Sequence, residues 1–279
     1  MAVRLIALDI DGTLIDDRSQ IPESNRKAVA EASARGIEVA LVTGRRYDYA
    51  LPIARQLPCP ITMIVNNGAM VKSSSGTTQL RHMLSREVAQ RVIELTPQFR
   101  ELASVCFDRP CENQLIFERI PWDDSARRGY LDRNRDFIAE VSPLQNCLTE
   151  DPIQVMFTGA TDRLRGAAAC LSQLPISSQY SVAVTFYDNR NFGLVDVISR
   201  GCSKGATLAE WVTRRGWSRE DVMAIGDNHN DLEMLQYAGL PIVMGNSVPE
   251  LKSLGWHETL TNDQGGVAAA IETYALGGN

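Results

Sequence analysis

Residues 5–14 are LIALDIDGTL, and this stretch decides the fold. An unbroken apolar run ends in two carboxylates one residue apart, Asp9 and Asp11, which are followed by Gly-Thr. Such a run is typical of a strand that is buried on both faces of a parallel sheet. Ligands of open α/β sheets bind beyond the carboxyl ends of the strands. The pattern therefore places both aspartates where chemistry is expected, and a bound cation would offset the cost of burying them.

The composition indicates a packed globular protein of one large or two ordinary domains, with 279 residues, 44% of them hydrophobic and 22% charged. The net charge of −6 offers no basic surplus for a nucleic-acid backbone. A local basic pocket for one small phosphate remains compatible with it. We therefore expect no nucleic acid as the main partner.

The sequence also predicts a cytoplasmic protein that has no membrane partner. No stretch is long and apolar enough to span a bilayer, and Asp9 is reached before a signal-like apolar core can form. The six cysteines are scattered without the paired CxxC spacing of a zinc site. We expect them to be reduced thiols, most of them buried.

Strands and helices alternate at both ends of the chain, which favours a parallel sheet with right-handed crossovers. The strands predicted there are 3–8, 37–42, 61–65, 222–225 and 241–244, and the helices are 22–35, 47–57, 203–215, 231–238 and 267–275. The middle of the chain differs, because its alternating patterns suggest a sheet with one face packed on helices. Its predicted strands are 102–107, 114–117, 153–157, 181–186 and 194–197. A discontinuous core with an inserted α+β domain fits this order best.

Further polar residues stand at strand ends and at one helix start. Thr43 and Gly44 follow the second strand and can donate a hydroxyl and an N–H to phosphate oxygens, although alone they fit an ordinary turn equally well. Lys204 follows a predicted Ser203 N-cap, where a cation opposes the helix dipole by ~0.5 kcal/mol unless it neutralises a nearby anion. A lysine that is merely exposed there is the simpler alternative.

The loop at residues 226–231, GDNHND, crowds two carboxylates, Asp227 and Asp231, beside amide side chains. Hard oxygen ligands of this sort suit magnesium better than calcium, which would need more ligands at alternate positions. Asn230 can instead face a phosphate. His229 more often points outward, since no second histidine lies nearby.

These sites carry Asp-x-Asp, Thr, Lys and Gly-Asp-x-x-x-Asp in that order, and the set resembles the four motifs of the haloacid dehalogenase-like phosphohydrolases. Asn67-Gly68-Ala69, Met244-Gly245-Asn246 and residues 262–267 are similar to the Cof-type subgroup with a C2B cap. The resemblance implies an α/β fold with a Rossmann-like three-layer core at 1–83 and 198–279. It also implies an inserted α+β cap domain at 84–197, which we expect to close over Asp9 and select the substrate.

The resemblance further implies a magnesium-dependent phosphatase that hydrolyses a small phosphate monoester through an aspartyl-phosphate. Sugar phosphates, pyridoxal phosphate and flavin-type phosphates are the expected substrates. Asp9 would be the nucleophile and Asp11, oriented by Thr13, the general acid and base. The implied metal ligands are Asp9, the backbone carbonyl of Asp11, Asp227 and Asp231, with Asp231 and Asn230 acting either directly or through water. The implied catalytic and phosphate-binding residues are Asp9, Thr43, Gly44, Lys204, Asn230 and Arg45.

Three questions stay open at the level of sequence. Arg45 can either reach the substrate or form an outward ion pair. A sugar phosphomutase uses the same Asp-x-Asp pattern and would require a sugar bisphosphate. A non-catalytic phosphate-sensing protein on this fold would be expected to lose Asp9, which is present here.

Overall fold

The computed structural model describes residues 3–110 and 112–277, which divide into two compact units. The first unit contains the residues up to Arg81 and those from Ser203 onward, and the second is His82–Cys202. The sequence predicts these boundaries at residues 83/84 and 197/198. Among the described residues, no helix has both the length and the apolar character needed to cross a membrane.

The first unit is built on an eight-stranded sheet with the order β14-β13-β12-β1-β2-β3-β4-β5. All neighbouring pairs from β14 to β3 are parallel, and β4 and β5 extend the sheet as an antiparallel hairpin. The strands are β1 (Leu5–Leu8), β2 (Glu38–Val42), β3 (Ile61–Val65), β4 (Met70–Ser73), β5 (Thr78–Arg81), β12 (Val222–Gly226), β13 (Leu240–Val243) and β14 (His257–Glu258). The helices are α1 (Glu23–Ala34), α2 (Tyr47–Ala54), α6 (Lys204–Arg214), α7 (Leu232–Tyr237), α8 (Pro249–Lys252) and α9 (Gly266–Ala270).

The central strand β1 is buried on both faces, as its apolar run predicts. Leu5 and Ala7 belong to a core cluster with residues of α6 and α7. Ile6 and Leu8 point to the opposite face because side chains alternate along a strand, and they are equally inaccessible. Each fully buried aliphatic side chain of this kind contributes about 1.5–3 kcal/mol to the stability of the fold.

The second unit contains a six-stranded sheet with the order β10-β11-β9-β6-β7-β8, antiparallel except for the pair β7 and β8. Its strands are β6 (Ala103–Cys106), β7 (Leu115–Phe117), β8 (Ile138–Glu140), β9 (Gln154–Gly159), β10 (Tyr180–Tyr187) and β11 (Phe192–Ser199). Its helices are α3 (Arg86–Leu95), α4 (Arg128–Arg133) and α5 (Thr161–Gln173). One face of the sheet packs on α3 and α5 through a shared apolar cluster.

Every predicted strand exists, and every helix predicted in the first unit overlaps a helix of the structure. Four strands, β4, β5, β8 and β14, and the short helix α8 were not predicted. The predicted α2 is three residues too long, and the last helix continues from α9 as a π-helical turn at Ile271–Ala275. The five described cysteines are free thiols, three of them buried; Cys111 lies outside the described residues.

Packing between α6 and α7 depends on a glycine at the second position of α6. A Cβ at Gly205 would lie 2.4 Å from the carbonyl carbon of Glu233 in α7, closer than real contacts allow. We expect Gly205→Ala to lower the free energy of unfolding by about 1–3 kcal/mol, because overpacking outweighs the helix propensity that alanine adds. Urea denaturation measures this change.

The matched control is Gly129→Ala in α4, where the nearest atom to a new Cβ is the side-chain Nη1 of Arg133 at 3.4 Å. There the gain in helix propensity, up to about 1 kcal/mol, should be visible. If both alanine variants proved equally stable, α7 would not be held by close backbone packing against Gly205.

Candidate active site

The carboxyl edge of the parallel sheet brings together side chains from opposite ends of the chain. Leu8 of β1 pairs in register with Leu41 of β2 and with Ile225 of β12. The residues that follow these three strands therefore emerge at the same edge. They include Asp9, Thr43 and Asp227, all of which the sequence analysis selected.

Asp9 extends β1 by one residue and is 5% exposed. Its N–H donates to the carbonyl of Ile225, so the backbone is still held against β12. One carboxylate oxygen, Oδ1, lies 2.5 Å from Nζ of Lys204. The nucleophile candidate is thus fixed by both main chain and side chain.

Lys204 is the first residue of α6, after Ser203, whose hydroxyl accepts the N–H of Ala206 as the predicted N-cap. Its side chain is 1% exposed, and Nζ also contacts Oδ1 of Asp231 at 2.6 Å. Two carboxylates therefore explain a buried cation at a helix N-terminus, where the dipole disfavours it. The alternative of an exposed lysine is wrong.

Asp231 has protein partners on both of its carboxylate oxygens. Oδ1 contacts Lys204, and Oδ2 accepts the N–H groups of Asp227 and Asn228, each at 3.0 Å. These bonds shape the loop after β12 and aim its first carboxylate inward. Asp231 therefore pairs with Lys204 and holds the backbone of the loop after β12. Neither contact depends on a metal.

Asp227 accepts a hydrogen bond from the Thr13 hydroxyl at 3.0 Å through Oδ1. The expectation that Thr13 orients Asp11 is wrong: the side chain crosses to the neighbouring strand end instead. Gly12 lies beside the same carboxylate, since a Cβ there would be 2.4 Å from Oδ2 of Asp227, and its φ of 77° also favours glycine. The turn after β1 therefore packs closely against the Asp227 carboxylate, through Gly12 and the Thr13 hydroxyl.

Burial changes the protonation of these groups. Burial, with the neighbouring carboxylates Asp231 and Asp11 adding to it and Lys204 opposing it, raises the pKa of Asp9 to about 7. Burial, followed by the charges of Asp9 and Asp231, also raises the pKa of Asp227 well above its usual range. Burial alone would lower the pKa of Lys204, but Asp231 and Asp9 outweigh it and raise that pKa.

Asp9, Asp227 and Asp231 form a buried acidic trio whose ligand atoms lie within 4.8 Å of one another. Among the described residues Lys204 is the one ammonium in contact with the trio, so that the ionised cluster carries two more negative than positive charges. Hard oxygen donors with this charge fit a small divalent cation. Asp11 is not a member of the trio through its side chain.

The Asp11 carboxylate is instead paired with Arg45. Nε and Nη2 of Arg45 reach its two oxygens at 2.7 and 2.6 Å, which is a bidentate ion pair. The guanidinium also stacks over the ring of Tyr49, 4.5 Å from the centroid. Arg45 is expected from the sequence either to reach the substrate or to form an outward ion pair. The structure contains an ion pair, but its partner is Asp11, which is itself a predicted site residue.

A second group of residues offers hydrogen-bond donors. The Thr43 hydroxyl oxygen accepts a hydrogen bond from the N–H of Arg45 at 3.1 Å. The hydroxyl proton of Thr43 therefore points away from that N–H. Asn230 donates from Nδ2 to Oδ1 of Asn67 at 3.1 Å, whereas His229 is exposed as expected. Asn67 also lies against Gly44. At the level of sequence, Asn67 stands out only as part of the motif Asn67-Gly68-Ala69, which implies no role for it.

Two asparagines hold the outer side of the loop after β1. Asn246 donates from Nδ2 to the carbonyl of Gly12 at 2.8 Å and accepts the N–H of Asn262. Asn262 in turn donates to the carbonyl of Ile15 at 3.1 Å. In the sequence, only the short motifs that contain Asn246 and Asn262 point to these two residues, and the motifs do not predict the hydrogen bonds.

Comparison with known proteins agrees with this geometry. A family model described as haloacid dehalogenase-like hydrolase matches residues 6–271. A solved haloacid dehalogenase-like hydrolase from Bacteroides thetaiotaomicron superposes with a TM-score of 0.79 at 26% identity, covering 97% of this chain and 99% of that one. The predicted resemblance, its Cof-type assignment and the fold class are confirmed.

Curated relatives cover nearly the whole chain. The 5-amino-6-(5-phospho-D-ribitylamino)uracil phosphatase YcsE of Bacillus subtilis (strain 168) is 27% identical over 274 residues, which are 98% of this chain and 96% of that protein. The HMP-PP phosphatase of Cronobacter sakazakii is 28% identical over 251 residues, covering 89% and 86%. Both names describe phosphatases.

The raised pKa of Asp9 predicts how stability depends on pH in buffer that contains a chelator. Between the ordinary value of 3.8 and the folded value of about 7, the native state holds one more proton than the unfolded state at this group. Its contribution to the free energy of unfolding therefore falls as the pH rises through that window, by up to ~1.4 kcal/mol per pH unit.

Asp9→Asn removes this proton. The free energy of unfolding of the variant, minus that of the parent, should therefore increase from pH 5 to pH 8. Urea denaturation at both pH values measures it, and the difference between the proteins cancels the titrating groups that lie away from Asp9. The substitution also removes a charge that raises the pKa of Asp227, which changes the difference in the same direction. A difference that did not change with pH would show that Asp9 titrates as an ordinary carboxyl.

Proposed function

This chain belongs to the haloacid dehalogenase-like hydrolases, and on that premise we propose that it hydrolyses small phosphate monoesters through a phosphoryl group carried on Asp9. The prediction of a phosphoric monoester hydrolase agrees with the relatives that are named as phosphatases. The observation that carries the mechanism is the strand-end Asp9, buried within a trio of carboxylates and held by Lys204 on one oxygen only.

Asp9 is the group best placed to attack phosphorus. Lys204 engages Oδ1, and Oδ2 accepts no hydrogen bond from the described residues. Covalent attack by this oxygen divides one difficult displacement into two easier steps. The bond to the leaving oxygen breaks as the Asp9–phosphorus bond forms, and water then hydrolyses the acyl phosphate.

The charge of the transferring group would be carried by donors at the same edge. Lys204 supplies an ammonium, Thr43 a hydroxyl and Gly44 a backbone N–H, all fixed before the substrate arrives. Preorganised donors of this kind are a large source of catalysis, because the protein need not rearrange as charge develops. Asn230, which is aimed by Asn67, is the further donor on this side.

Asp11 would protonate the leaving alkoxide and later accept a proton from the attacking water. Both of its oxygens accept hydrogen bonds from Arg45 in this structure, in a bidentate ion pair. The ion pair must therefore open before Asp11 can deliver a proton. With Asp11 33% and Arg45 12% exposed on their side chains, the pair is accessible to an incoming phosphate dianion.

Magnesium would be held by Asp9 and Asp227, with Asp231 and the backbone carbonyl of Asp11 completing the protein side. The fit depends on the excess negative charge and the oxygen donors of the trio. When bound, the cation would neutralise the trio and polarise the phosphate oxygens. The protein keeps Asp9 and Asp227 close together and shielded from water. Without the cation, this burial raises the pKa values of both carboxyls.

For the substrate, we propose a small phosphorylated metabolite. The name of the Bacillus relative describes a pyrimidine that bears a phosphorylated ribityl chain, which favours the flavin-type candidate over the sugar phosphates and pyridoxal phosphate. The second unit, His82–Cys202, contains none of the residues assigned to the chemistry. We propose that it selects among these esters.

Asp9→Asn should abolish phosphatase activity, because an amide oxygen is a far weaker nucleophile. The variant should fold as the parent does, since the change is isosteric. Activity is measured on a metabolite panel with magnesium, and folding by thermal unfolding. Mass spectrometry of the parent, quenched in acid during turnover, should find one phosphoryl group on the peptide that contains Asp9. Retained turnover in a clean preparation of the variant would exclude Asp9 as the nucleophile.

Removal of magnesium should abolish turnover reversibly, and calcium should inhibit. The higher coordination number of calcium would engage both oxygens of Asp9, so that neither is available for attack. Activity in chelator, after added magnesium and after added calcium tests this directly. Full activity in excess chelator would contradict a role for a cation.

A further inference from the structure

The turn after β3 contains three successive residues in the left-handed region, of which two are not glycine. The φ angles are 52° at Asn66, 53° at Asn67 and 100° at Gly68. Such conformations cost of order 1 kcal/mol or more at a residue with a side chain and persist when the surroundings determine them. Asn66 and Asn67 are each 1% exposed, so the turn is not a solvent loop.

The main chain of this turn joins two separate parts of the site. Asn66 and Asn67 donate their N–H groups to the carbonyls of Arg45 and Thr43, at 2.9 and 3.0 Å. On the other side, the carbonyl of Gly68 accepts the hydroxyl of Thr207 in α6 at 2.8 Å. The turn therefore lies between the loop after β2 and the helix that begins with Lys204.

Gly68 shows how closely α6 approaches. A Cβ at this position would lie 2.2 Å from the carbonyl oxygen of Ser203, the residue that caps α6. No side chain fits there, and the left-handed conformation favours glycine independently. The start of α6, and with it Lys204, is positioned against this turn.

The side chain of Asn67 lies beside both Asn230 and Gly44. Its Oδ1 accepts from Nδ2 of Asn230 at 3.1 Å. Its amide also lies against Gly44, since a Cβ at Gly44 would be 3.0 Å from Oδ1 and 3.2 Å from Nδ2 of Asn67. One side chain thus hydrogen-bonds Asn230 and packs against the backbone at Gly44.

We propose that Asn67 is a positioning residue for phosphate, which aligns the Gly44 N–H and the Asn230 amide into one anion-binding pocket. The proposal depends on the function proposed above, because it assigns the organiser of the phosphate subsite of that same site. Asn67 acts through Gly44 and Asn230 and need not touch the substrate. Loss of its side chain should therefore weaken phosphate binding more than it weakens the fold.

Asn67→Gly separates the side chain from the backbone conformation. Glycine adopts the left-handed region more readily than asparagine, so a purely conformational role predicts unchanged or improved function. If the side chain positions the pocket, KM for p-nitrophenyl phosphate and the inhibition constant of inorganic phosphate should both rise about tenfold. That is the effect of losing one well-oriented hydrogen bond.

A merely structural defect gives a different result. It would reduce the fraction of active molecules and lower the apparent kcat, while KM and the inhibition constant stayed at the values of the parent. Thermal unfolding of the variant is measured alongside. The matched control is Asn113→Gly, an exposed left-handed asparagine with φ of 53°, which should leave all three constants unchanged.

A double-mutant cycle tests the route through Asn230. If Asn67 acts partly by holding that amide, the combined effect of Asn67→Gly and Asn230→Ala on phosphate inhibition should be smaller than the product of the single effects. Asn67→Asp is the second variant, because it keeps an acceptor for Asn230 and tolerates the left-handed conformation but puts a negative charge beside Gly44. It should also weaken phosphate binding about tenfold or more.

Constants within twofold of the parent in both Asn67→Gly and Asn67→Asp would overturn the proposal, as would effects of Asn67→Gly and Asn230→Ala that multiply fully. In these cases the parent is still a phosphatase, so the proposed function stands. A parent that neither hydrolyses any phosphate ester nor binds inorganic phosphate would overturn both.

Discussion

The burial of three carboxylates around a single lysine is the constraint on which the rest of the site depends. Each buried charge costs several kcal/mol unless it is paired and hydrogen-bonded. Asp231 meets that condition, with Lys204 on one oxygen and two backbone N–H groups on the other. Asp9 and Asp227 meet it only in part, and their raised pKa values are the consequence. The carboxyl edge of the sheet therefore has an excess of negative charge that would favour binding of a cation.

The strand order makes this concentration of charge possible. The central strand β1 lies between β2 and β12, which come from distant parts of the sequence yet run parallel to it. Parallel strands deliver their following residues to one edge, where the ends of several strands supply different groups. The chain can leave the first unit after Arg81 and return at Ser203 because the return point is the cap of the helix that carries Lys204. The whole second unit is thus inserted without separating the chemical groups.

The local sequence pattern is enough to predict which residues lie at the strand ends. It is not enough to predict the contacts between side chains from different elements. Asp9, Thr43 and Asp227 follow from apolar runs that end in polar residues, and Ser203 follows from capping chemistry. The strand β8 has three residues and β14 has two, too few for any periodicity, while the β4–β5 hairpin surrounds a serine-rich turn that resembles a loop. The partner of Thr13 and the role of Asn67 depend on which elements meet across the sheet edge. Spacing along the sequence does not contain that information.

Several ordinary rules of folding are broken in this protein at the same edge. A cation begins a helix, two asparagines adopt left-handed conformations in succession, and carboxylates are buried with too few counter-charges. Each of these features alone has a local explanation. Natural sequences are locally consistent elsewhere, and departures are expected where function imposes a requirement that stability does not. The lysine is paired with two of the acids, and the remaining negative charge would suit a bound cation. The asparagine turn is held by backbone hydrogen bonds to Arg45 and Thr43. Their coincidence is therefore a physical argument for an anion-handling catalytic site that does not depend on similarity to any other protein.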